Sequence, residues 1–165
     1  MIDCYVTGIL PRTKELIEAT RTYERGRINN KKLESTFKKA TQIVVSAQLS
    51  AGFTYITDGM LKWQDLFRPF TENLRGVKTG NLARWFNNNM FYRKPILYNH
   101  ILREKNIVEP ITYTKFLPKN SQWKAVLPAP YTFIQLSEIQ VSRDKIELMF
   151  EYAKMLREEI VSLAK

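Results

Sequence analysis

Two acidic residues with possible chemical roles follow a short apolar run, residues 53–57. Asp58 opens an Asp-Gly turn, where its carboxylate could accept a hydrogen bond from a ligand amino group or satisfy the backbone of the turn. Asp65, with Lys62 and Arg68 beside it, could form a substrate-binding cluster or an ion-paired surface loop. Either the chain after this run faces a ligand, or both residues stabilise their own loops.

A polar run further along the chain provides a second candidate site. Asn87, Asn88 and Asn89 are consecutive, and Arg84 and Arg93 lie on either side of them. Side-chain amides at such a position could hold a ligand or cap a turn. Because guanidinium groups bind anions through paired hydrogen bonds, an anion-facing loop is one interpretation of this segment, and a capped turn is the other.

The remaining candidate side chains have structural as well as functional interpretations. Trp63 and Trp85 could stack on a flat ring, although large aromatic residues beside apolar neighbours more often belong to a core. Cys4 and His100 are the single cysteine and the single histidine. They are too few for a metal site, so we expect an inert thiol in a buried strand and a partly exposed imidazole without chemistry.

Composition limits the class of protein. With 165 residues, 44% of them hydrophobic, the chain is expected to form a single domain, 1–165. It shows no membrane-spanning run and no secretion signal, and one cysteine excludes an internal disulfide, so a cytoplasmic location is predicted. The net charge of +10 would suit a polyanion, but no module that reads nucleic acid accompanies it, so nucleic acid is not the predicted partner.

The pattern over the first third of the chain predicts alternating strands and helices. Residues 3–8 and 53–57 are expected to be buried strands, because each is a compact apolar run that ends in a turn. Between them, helices are predicted from Thr13 to Tyr23 and, after Gly26, along an apolar face that runs from Leu33 to Ala51. Strand, helix and strand in this order predict a parallel pair with a right-handed crossover.

The middle of the chain has a weaker pattern. Residues 60–80 are expected to be a loop rich in Trp and Phe with short helical turns, and residues 90–98 to be irregular extended chain interrupted by Pro95. A short helix is expected around residues 112–116, followed by a strand at residues 125–127 and a helix that begins at Tyr131.

The last predicted helix has the clearest amphipathic pattern, and Ser142 is expected to cap it. Its predicted core face is a stripe of apolar residues: Ile146, Met149, Phe150, Ala153, Leu156, Ile160 and Leu163. Lys154 and Glu158 are expected on the opposite face. Three or four strand–helix units leave both edges of a parallel sheet open, which implies a partner, a second copy or further sequence.

Four segments that follow one another along the chain resemble the cobalamin-independent methionine synthase family. They are Gly-Ile-Leu-Pro-Arg at 8–12, Thr-Asp-Gly-Met-Leu-Lys-Trp-Gln-Asp at 57–65, Arg-Trp-Phe-Asn-Asn-Asn at 84–89 with Tyr92 and Pro95, and Leu-Pro-Ala-Pro-Tyr-Thr-Phe at 127–133. Their unbroken order is more specific than any one of them. The third resembles the amino-terminal barrel of the family most closely.

The resemblance implies an α/β fold that forms the first half of a TIM (β/α)₈ barrel, with parallel strands inside and helices outside. It implies a role in transferring a methyl group from a methylated folate to the sulfur of homocysteine, in methionine biosynthesis. The zinc ligands of the family lie in later strands than this chain contains. The resemblance therefore implies no cofactor in this chain and a homo-oligomer or a zinc-bearing partner half.

Differences from the family pattern leave the activity open. Ile9 and Met60 replace a serine and an acidic residue that contact the amino-acid substrate in the catalytic barrel. Arg12 and Lys14 match a basic stretch that touches the glutamate tail of the folate, although Ile17 replaces a second lysine. The alternative function is a non-catalytic folate-binding or accessory module. The substrate-binding candidates are Arg12, Lys14, Asp58, Trp63, Asp65, Arg84, Trp85, Asn87 and Asn88.

Overall fold

The computed structural model describes residues 3–113, 118–119 and 121–164. Its chain folds as two compact units, Met1–Lys62 with Thr112–Val126 and Trp63–Ile111 with Leu127–Lys165, called here the first and the second unit. Both contain helices and strands, and each contains one pair of parallel strands. The protein is therefore a mixed α/β protein, as predicted.

The first unit is built on two helices and a short parallel sheet. Helix α1 spans Lys14–Glu24 and helix α2 spans Asn30–Ser50. Thr13 and Asn29 cap these helices, because their side-chain oxygens accept the amides of Leu16 and Lys32. Strand β1, Tyr55–Ile56, pairs in parallel with strand β4, Gln122–Trp123.

The core of the first unit lies where the two helices meet. Its buried members are Leu16, Leu33, Phe37, Ala40 and Leu61, with the partly buried Leu10, Ala19, Ile28, Val44 and Tyr113 packed against them. Apolar residues on α2 recur every three or four positions, so one face of the helix is removed from water. The helices predicted from Thr13 to Tyr23 and, after Gly26, from this spacing are both confirmed.

The second unit contains a long β-hairpin covered by helices. Strands β2, Leu74–Arg84, and β3, Phe91–Arg103, are antiparallel, and β5, Glu138–Ile139, pairs in parallel with β3. The helices are α3, Arg68–Thr71, α4, Pro130–Gln135, and α5, Lys145–Leu163, and Glu109–Ile111 forms a short 3₁₀ helix.

Aromatic side chains form the core of the second unit. The ring of Phe67 lies 5.3 Å from Tyr92 and 5.6 Å from Phe133, both edge to face. Phe133 stacks on Tyr152 of α5 at 4.1 Å. Edge-to-face and stacked rings are favourable geometries for aromatic pairs. These contacts therefore stabilise the packing of α4, α5 and β3 around one buried cluster.

Several predicted strands differ from the structure. Residues 3–8 are not a strand, although the Thr54 amide donates to the Cys4 carbonyl at 3.0 Å, and Cys4 is exposed rather than buried. The strand predicted at 53–57 is shortened to β1, and the one predicted at 125–127 lies instead at β4. Of the helix predicted at 112–116, residues 112 and 113 are not helical, and 114–116 lie outside the described residues.

The prediction for residues 60–80 was right about a short helical turn, α3, but wrong where β2 forms. Residues 91–98 are extended, as predicted, but they belong to a regular strand, β3, rather than to irregular chain. Gly76, Gly80 and Pro95 indicate breaks in a sequence, but here they lie within β2 and β3. Gly76 has a φ of +81°, and a Cβ there would lie 2.0 Å from the His100 carbonyl oxygen. The glycine is therefore needed for the irregular pairing of the two strands.

Helix α5 was predicted correctly, its cap was not, and its buried face was predicted only in part, since Leu156 of the predicted stripe is buried and Lys154 and Glu158 are exposed. Asp144, not Ser142, caps it, because Asp144 Oδ1 accepts the Ile146 amide at 2.7 Å. The face buried in the second unit contains Leu148, Tyr152, Met155, Leu156 and Glu159. Of the predicted stripe, Ile146, Phe150 and Ile160 are exposed.

Candidate functional site

The candidate site in the first unit is the turn that follows β1, residues 57–62. Asp58 is buried, with 5% of its surface exposed, and both of its carboxylate oxygens accept backbone amides. The Met60 amide donates to Oδ1 at 2.9 Å and the Tyr113 amide donates to Oδ2 at 3.0 Å. Asp58 therefore joins its own turn to the segment around residue 113.

Neighbouring backbone bonds fix the conformation of this turn. Gln48 of α2 accepts the Thr57 amide at 2.9 Å and donates to the Thr57 carbonyl at 2.8 Å. The Leu10 amide donates to the Gly59 carbonyl at 3.0 Å, so the 8–12 and 57–65 segments meet here. Gly59 and Met60 have φ of +79° and +53°. A buried methionine in that region is strained, and such strain is frequent at ligand sites.

A charged network adjoins the turn. The Tyr113 hydroxyl donates to Glu34 Oε2 at 2.5 Å, and Lys62 Nζ lies 2.9 Å from Glu34 Oε1. The same ammonium lies 4.4 Å from the centre of the Tyr113 ring, a cation–π contact. Tyr113 thus binds Asp58 with its backbone and Glu34 with its side chain.

The surroundings change the acidity of these groups in opposite directions. Burial raises the pKa of Asp58, and the amides of Tyr113 and Met60 and the charge of Lys62 offset this only in part. Burial also acts to raise the pKa of Glu34, but the Tyr113 hydroxyl and Lys62 outweigh it, so that pKa is lowered. Burial, followed by the Glu34 hydrogen bond, raises the pKa of Tyr113. A desolvated carboxyl beside an ion pair can accept a hydrogen bond from a ligand N–H or ammonium group.

Asp65 lies in the second unit, where it has a structural role. Its Oδ1 accepts the amides of Phe67 and Arg68, both at 2.8 Å, at the start of α3. Its Oδ2 accepts the Arg93 amide at 3.0 Å, which joins this loop to β3. With three backbone donors, Asp65 stabilises the loop, and the ion-paired surface alternative does not describe it because the side chain is buried.

The two tryptophans pack against other aromatic rings of the second unit. Trp63 is buried, and its ring lies 6.0 Å from Phe70. Trp85 is half-buried and lies 5.9 Å from Phe67 and 5.5 Å from Tyr92. This packing favours a core role for Trp63, while Trp85 keeps part of its ring accessible.

Asn87, Asn88 and Asn89 lie in the turn that joins β2 to β3. The Met90 amide donates to Asn88 Oδ1 at 2.9 Å, so Asn88 caps the turn, which is one of the two roles that the sequence left open for these amides. All three asparagines are exposed, as are Arg84 and Arg93. The guanidinium of Arg84 lies 5.6 Å from the centre of the Phe91 ring.

The remaining predicted residues are Arg12, Lys14 and His100. Arg12 is partly exposed and Lys14 is exposed at the start of α1, both in the first unit with Asp58. His100 is exposed, and its Nδ1 lies 3.3 Å from Glu151 in the second unit. The candidates are thus divided between two units, with Arg12, Lys14 and Asp58 in one and the others in the second.

Zinc, which the family resemblance implies for later strands, needs a cluster of soft or carboxylate ligands. Within the described ranges, no group of three or more His, Cys, Asp or Glu residues lies close enough together to hold a metal ion. Cys4 and His100 belong to different units. The donor set of these residues therefore does not fit a zinc site.

Sequence reasoning did not identify Glu34, Gln48 or Tyr113 as part of the site. Glu34 and Tyr113 are 79 positions apart, and no local pattern relates them. Gln48 lies on the helix face that was predicted to be core, where a buried polar residue is a signal of a specific role.

No helix in the described part of the chain is both long and apolar enough to cross a membrane.

A family model matches nearly the whole chain. Residues 4–165 match the model described as the catalytic domain of cobalamin-independent synthase. This includes the segments that carry the resemblance seen in the sequence.

Named relatives and solved structures agree with this match. The chain is 30% identical over 167 residues to a methionine synthase of Saccharolobus solfataricus, covering 100% of this chain and 50% of that protein. It is 31% identical to the Sulfolobus acidocaldarius enzyme, covering 96% and 47%. A B12-independent methionine synthase from Shewanella, solved in complex with selenomethionine, is 25% identical with a TM-score of 0.68, covering 84% of this chain and 41% of that one. The chain thus spans about half the length of the curated relatives it matches.

Proposed function

Because the chain belongs to the cobalamin-independent methionine synthase family, we propose that it is one half of a methyl-transferring barrel that converts homocysteine to methionine. In this proposal residues 1–165 are the leading half of a (β/α)₈ barrel, and the half that they do not span carries the zinc ligands. The observation that carries it is the match of residues 4–165 to the catalytic domain, at about half the length of the relatives.

The turn after β1 supports this function because of its position. Ligands of (β/α)₈ barrels bind at the carboxyl ends of the parallel strands, and residues 57–62 follow the end of β1. Asp58 lies there in a conformation fixed by Gln48, Leu10 and Tyr113. We assign it the role of accepting a hydrogen bond from the amino group of homocysteine or from the methyl donor.

Basic residues of the same unit fit an anionic part of the methyl donor. Arg12 lies two residues after Leu10, whose amide binds the Asp58 turn, and Lys14 begins α1. An exposed ammonium and a guanidinium attract carboxylates such as those of a folate tail. We assign these two residues to binding the methylated folate, and Asp58 to orienting the reacting end.

Arg84, Trp85, Asn87 and Asn88 belong to the hairpin of the second unit and remain proposed ligand contacts. Their exposed amide and guanidinium groups supply donors, and the accessible part of the Trp85 ring supplies a stacking surface. Trp63 and Asp65 have a structural role within this unit, Trp63 through ring packing and Asp65 through hydrogen bonds to the backbone.

The experiment that tests this function is a reconstituted assay. The chain is co-expressed with the half of the Saccharolobus solfataricus enzyme that it does not span, and methionine formation from homocysteine and a methylated polyglutamyl folate is measured with zinc present. We expect turnover with both halves and none with either half alone. Asp58→Asn is expected to reduce kcat/KM at least about tenfold, through loss of a charged hydrogen bond.

Asp144→Asn is the matched control, because Asp144 is an exposed helix cap in the second unit. It is expected to leave the activity of the reconstituted pair unchanged. Folate binding by the chain without turnover in any combination would instead indicate a non-catalytic folate-binding module. If the chain shows no folate binding and no combination of the halves shows turnover, the proposed function is contradicted.

A further inference from the structure

Glu34, on α2, has its carboxylate bound by two donors from other segments of the first unit. Lys62 Nζ lies 2.9 Å from Oε1, and the Tyr113 hydroxyl donates to Oε2 at 2.5 Å. Each oxygen of the carboxylate thus has its own donor, an arrangement that suits carboxylates in general. Lys62 also ends the turn that follows β1, and ligands of (β/α)₈ barrels bind at such strand ends.

Other contacts hold the two donors in place. The Lys62 ammonium lies 4.4 Å from the centre of the Tyr113 ring and 5.9 Å from that of Phe37, two cation–π contacts. The Tyr113 amide donates to Asp58 at 3.0 Å, and its ring lies 6.4 Å from that of Phe37. Lys62 and Tyr113 would therefore keep their positions if the Glu34 carboxylate moved away.

The Glu34 side chain is held less firmly than the donors that it contacts. It is 40% exposed, and within the described ranges its carboxylate has no further hydrogen-bond or ion-pair partner. An ion pair that is partly exposed contributes little to stability, because solvent screens the charges and the long side chains lose freedom in forming it. A carboxylate from solution can therefore compete with Glu34 for the two donors.

We propose that Lys62 and Tyr113 form a binding site for a carboxylate of the ligand, and that Glu34 occupies this site until the ligand displaces it. The proposal rests on the proposed function, because that function supplies two ligands with such a group, homocysteine with its α-carboxylate and the methylated folate with its glutamyl tail. Burial acts to raise the pKa of Glu34, but Tyr113 and Lys62 lower that pKa below its ordinary 4.5. The two donors thus favour an ionised carboxyl group.

The sign of the effect of Glu34→Ala distinguishes this role from a purely structural one. If Glu34 occupies the site, its removal tightens ligand binding, because apparent affinity is reduced by the fraction of molecules whose site is closed. If Glu34 only holds Lys62 and Tyr113 in place, its removal weakens binding. Glu34→Gln keeps an oxygen for the Tyr113 hydroxyl but loses the charge, so it is expected to give a smaller gain in affinity than Glu34→Ala.

The test measures the Kd of the isolated chain by calorimetry, for homocysteine and, separately, for a methylated triglutamyl folate. Glu34→Ala is expected to tighten binding of at least one of them at least about threefold, and the ligand that responds is the source of the carboxylate. Adding Lys62→Met or Tyr113→Phe is expected to reverse the gain, since each removes one donor. Glu72→Ala is the matched control and should leave Kd unchanged, because it breaks another partly exposed ion pair, with Arg68, and changes the net charge equally.

Kinetics of the reconstituted pair separate failure of the carboxylate site from failure of the proposed function. Glu34→Ala is expected to lower KM for the responding ligand by the same factor and leave kcat unchanged, as uniform binding does. Binding that weakens or stays the same in Glu34→Ala, or a gain that Glu72→Ala reproduces, would overturn the carboxylate site, while turnover by the wild-type pair would leave the proposed function standing. A gain in affinity without turnover in any pair would contradict the proposed function alone. Binding of neither ligand by the wild type or by Glu34→Ala would overturn the carboxylate site.

Discussion

Asp58 and Asp65 are both buried carboxylates in loops, one in each unit, and they are held by different kinds of contacts. Asp65 accepts three backbone amides, two of which begin α3 while the third belongs to β3. Asp58 accepts two, in a turn whose backbone is held by Gln48 and Leu10. The carboxylate of Asp65 determines the shape of its loop, whereas the shape of the Asp58 turn also depends on its neighbours.

This difference in contacts suggests a structural role for Asp65 and a ligand-binding role for Asp58. If Asp65 is a structural residue, its removal mainly lowers stability. If Asp58 is a ligand-binding residue, its conservative replacement mainly lowers activity, because the turn retains other hydrogen bonds. The two carboxylates can therefore be distinguished by measuring both quantities on matched variants.

The largest expected effect is on stability at Asp65. Asp65→Ala leaves three backbone amides without their acceptor, and we expect the free energy of unfolding to fall by about 3 kcal/mol. Urea denaturation followed by circular dichroism measures this. Asp144→Ala removes an exposed helix cap and is expected to cost about 1 kcal/mol. Equal losses for the two variants would contradict the stabilising role of Asp65.

A smaller effect is expected at the backbone of the Asp58 turn. In Gly59→Ala, the added Cβ would lie 2.9 Å from Val44 Cγ1, at a φ of +79°. Strain and crowding together are expected to cost about 2 kcal/mol. Gly26→Ala is the control, because Gly26 also has a positive φ, +68°, but nothing lies within 4 Å of its added Cβ. It should cost about 1 kcal/mol, from backbone strain alone. A Gly59 variant as stable as the Gly26 variant would show that the turn is not tightly packed.

The helices of this fold could be predicted from the sequence, and much of the sheet could not. Thr13 and Asn29 are side-chain caps, and the apolar spacing of α2 has the period of a helix, so local signals were sufficient. The β2–β3 hairpin was missed because Gly76 and Pro95 indicate breaks, while long-range pairing overrides that local preference. On α5, local periodicity could not indicate which of two apolar faces the second unit buries.

The candidate site was predictable only in part, for a similar reason. Asp58 could be located because it follows an apolar run and precedes a glycine, both of which are local features. Its contact with the Tyr113 amide joins residues 55 positions apart, and the tyrosine hydroxyl then reaches Glu34 on α2. Such contacts depend on the tertiary fold, so neither Tyr113 nor Glu34 had a signal in the sequence.

The smallest expected effect is a pH dependence that has opposite signs at Glu34 and Asp58. The pKa of Glu34 is lowered from its ordinary 4.5, so its charge stabilises the fold above that pH, and the benefit is lost as pH falls through the lowered pKa. The pKa of Asp58 is raised from 3.8, so its contribution is most favourable when it is protonated and is lost as pH rises through the raised pKa.

Urea unfolding of Glu34→Gln and Asp58→Asn between pH 3 and pH 8 tests these signs. The destabilisation caused by Glu34→Gln should grow with pH and stay below about 1 kcal/mol, because solvent screens a partly exposed ion pair. The destabilisation caused by Asp58→Asn should shrink over the same rise in pH, since the wild type alone loses stability when Asp58 ionises. Parallel pH profiles for the two variants would mean that burial does not dominate at Asp58, and its carboxylate would then resemble an ordinary ion-paired group.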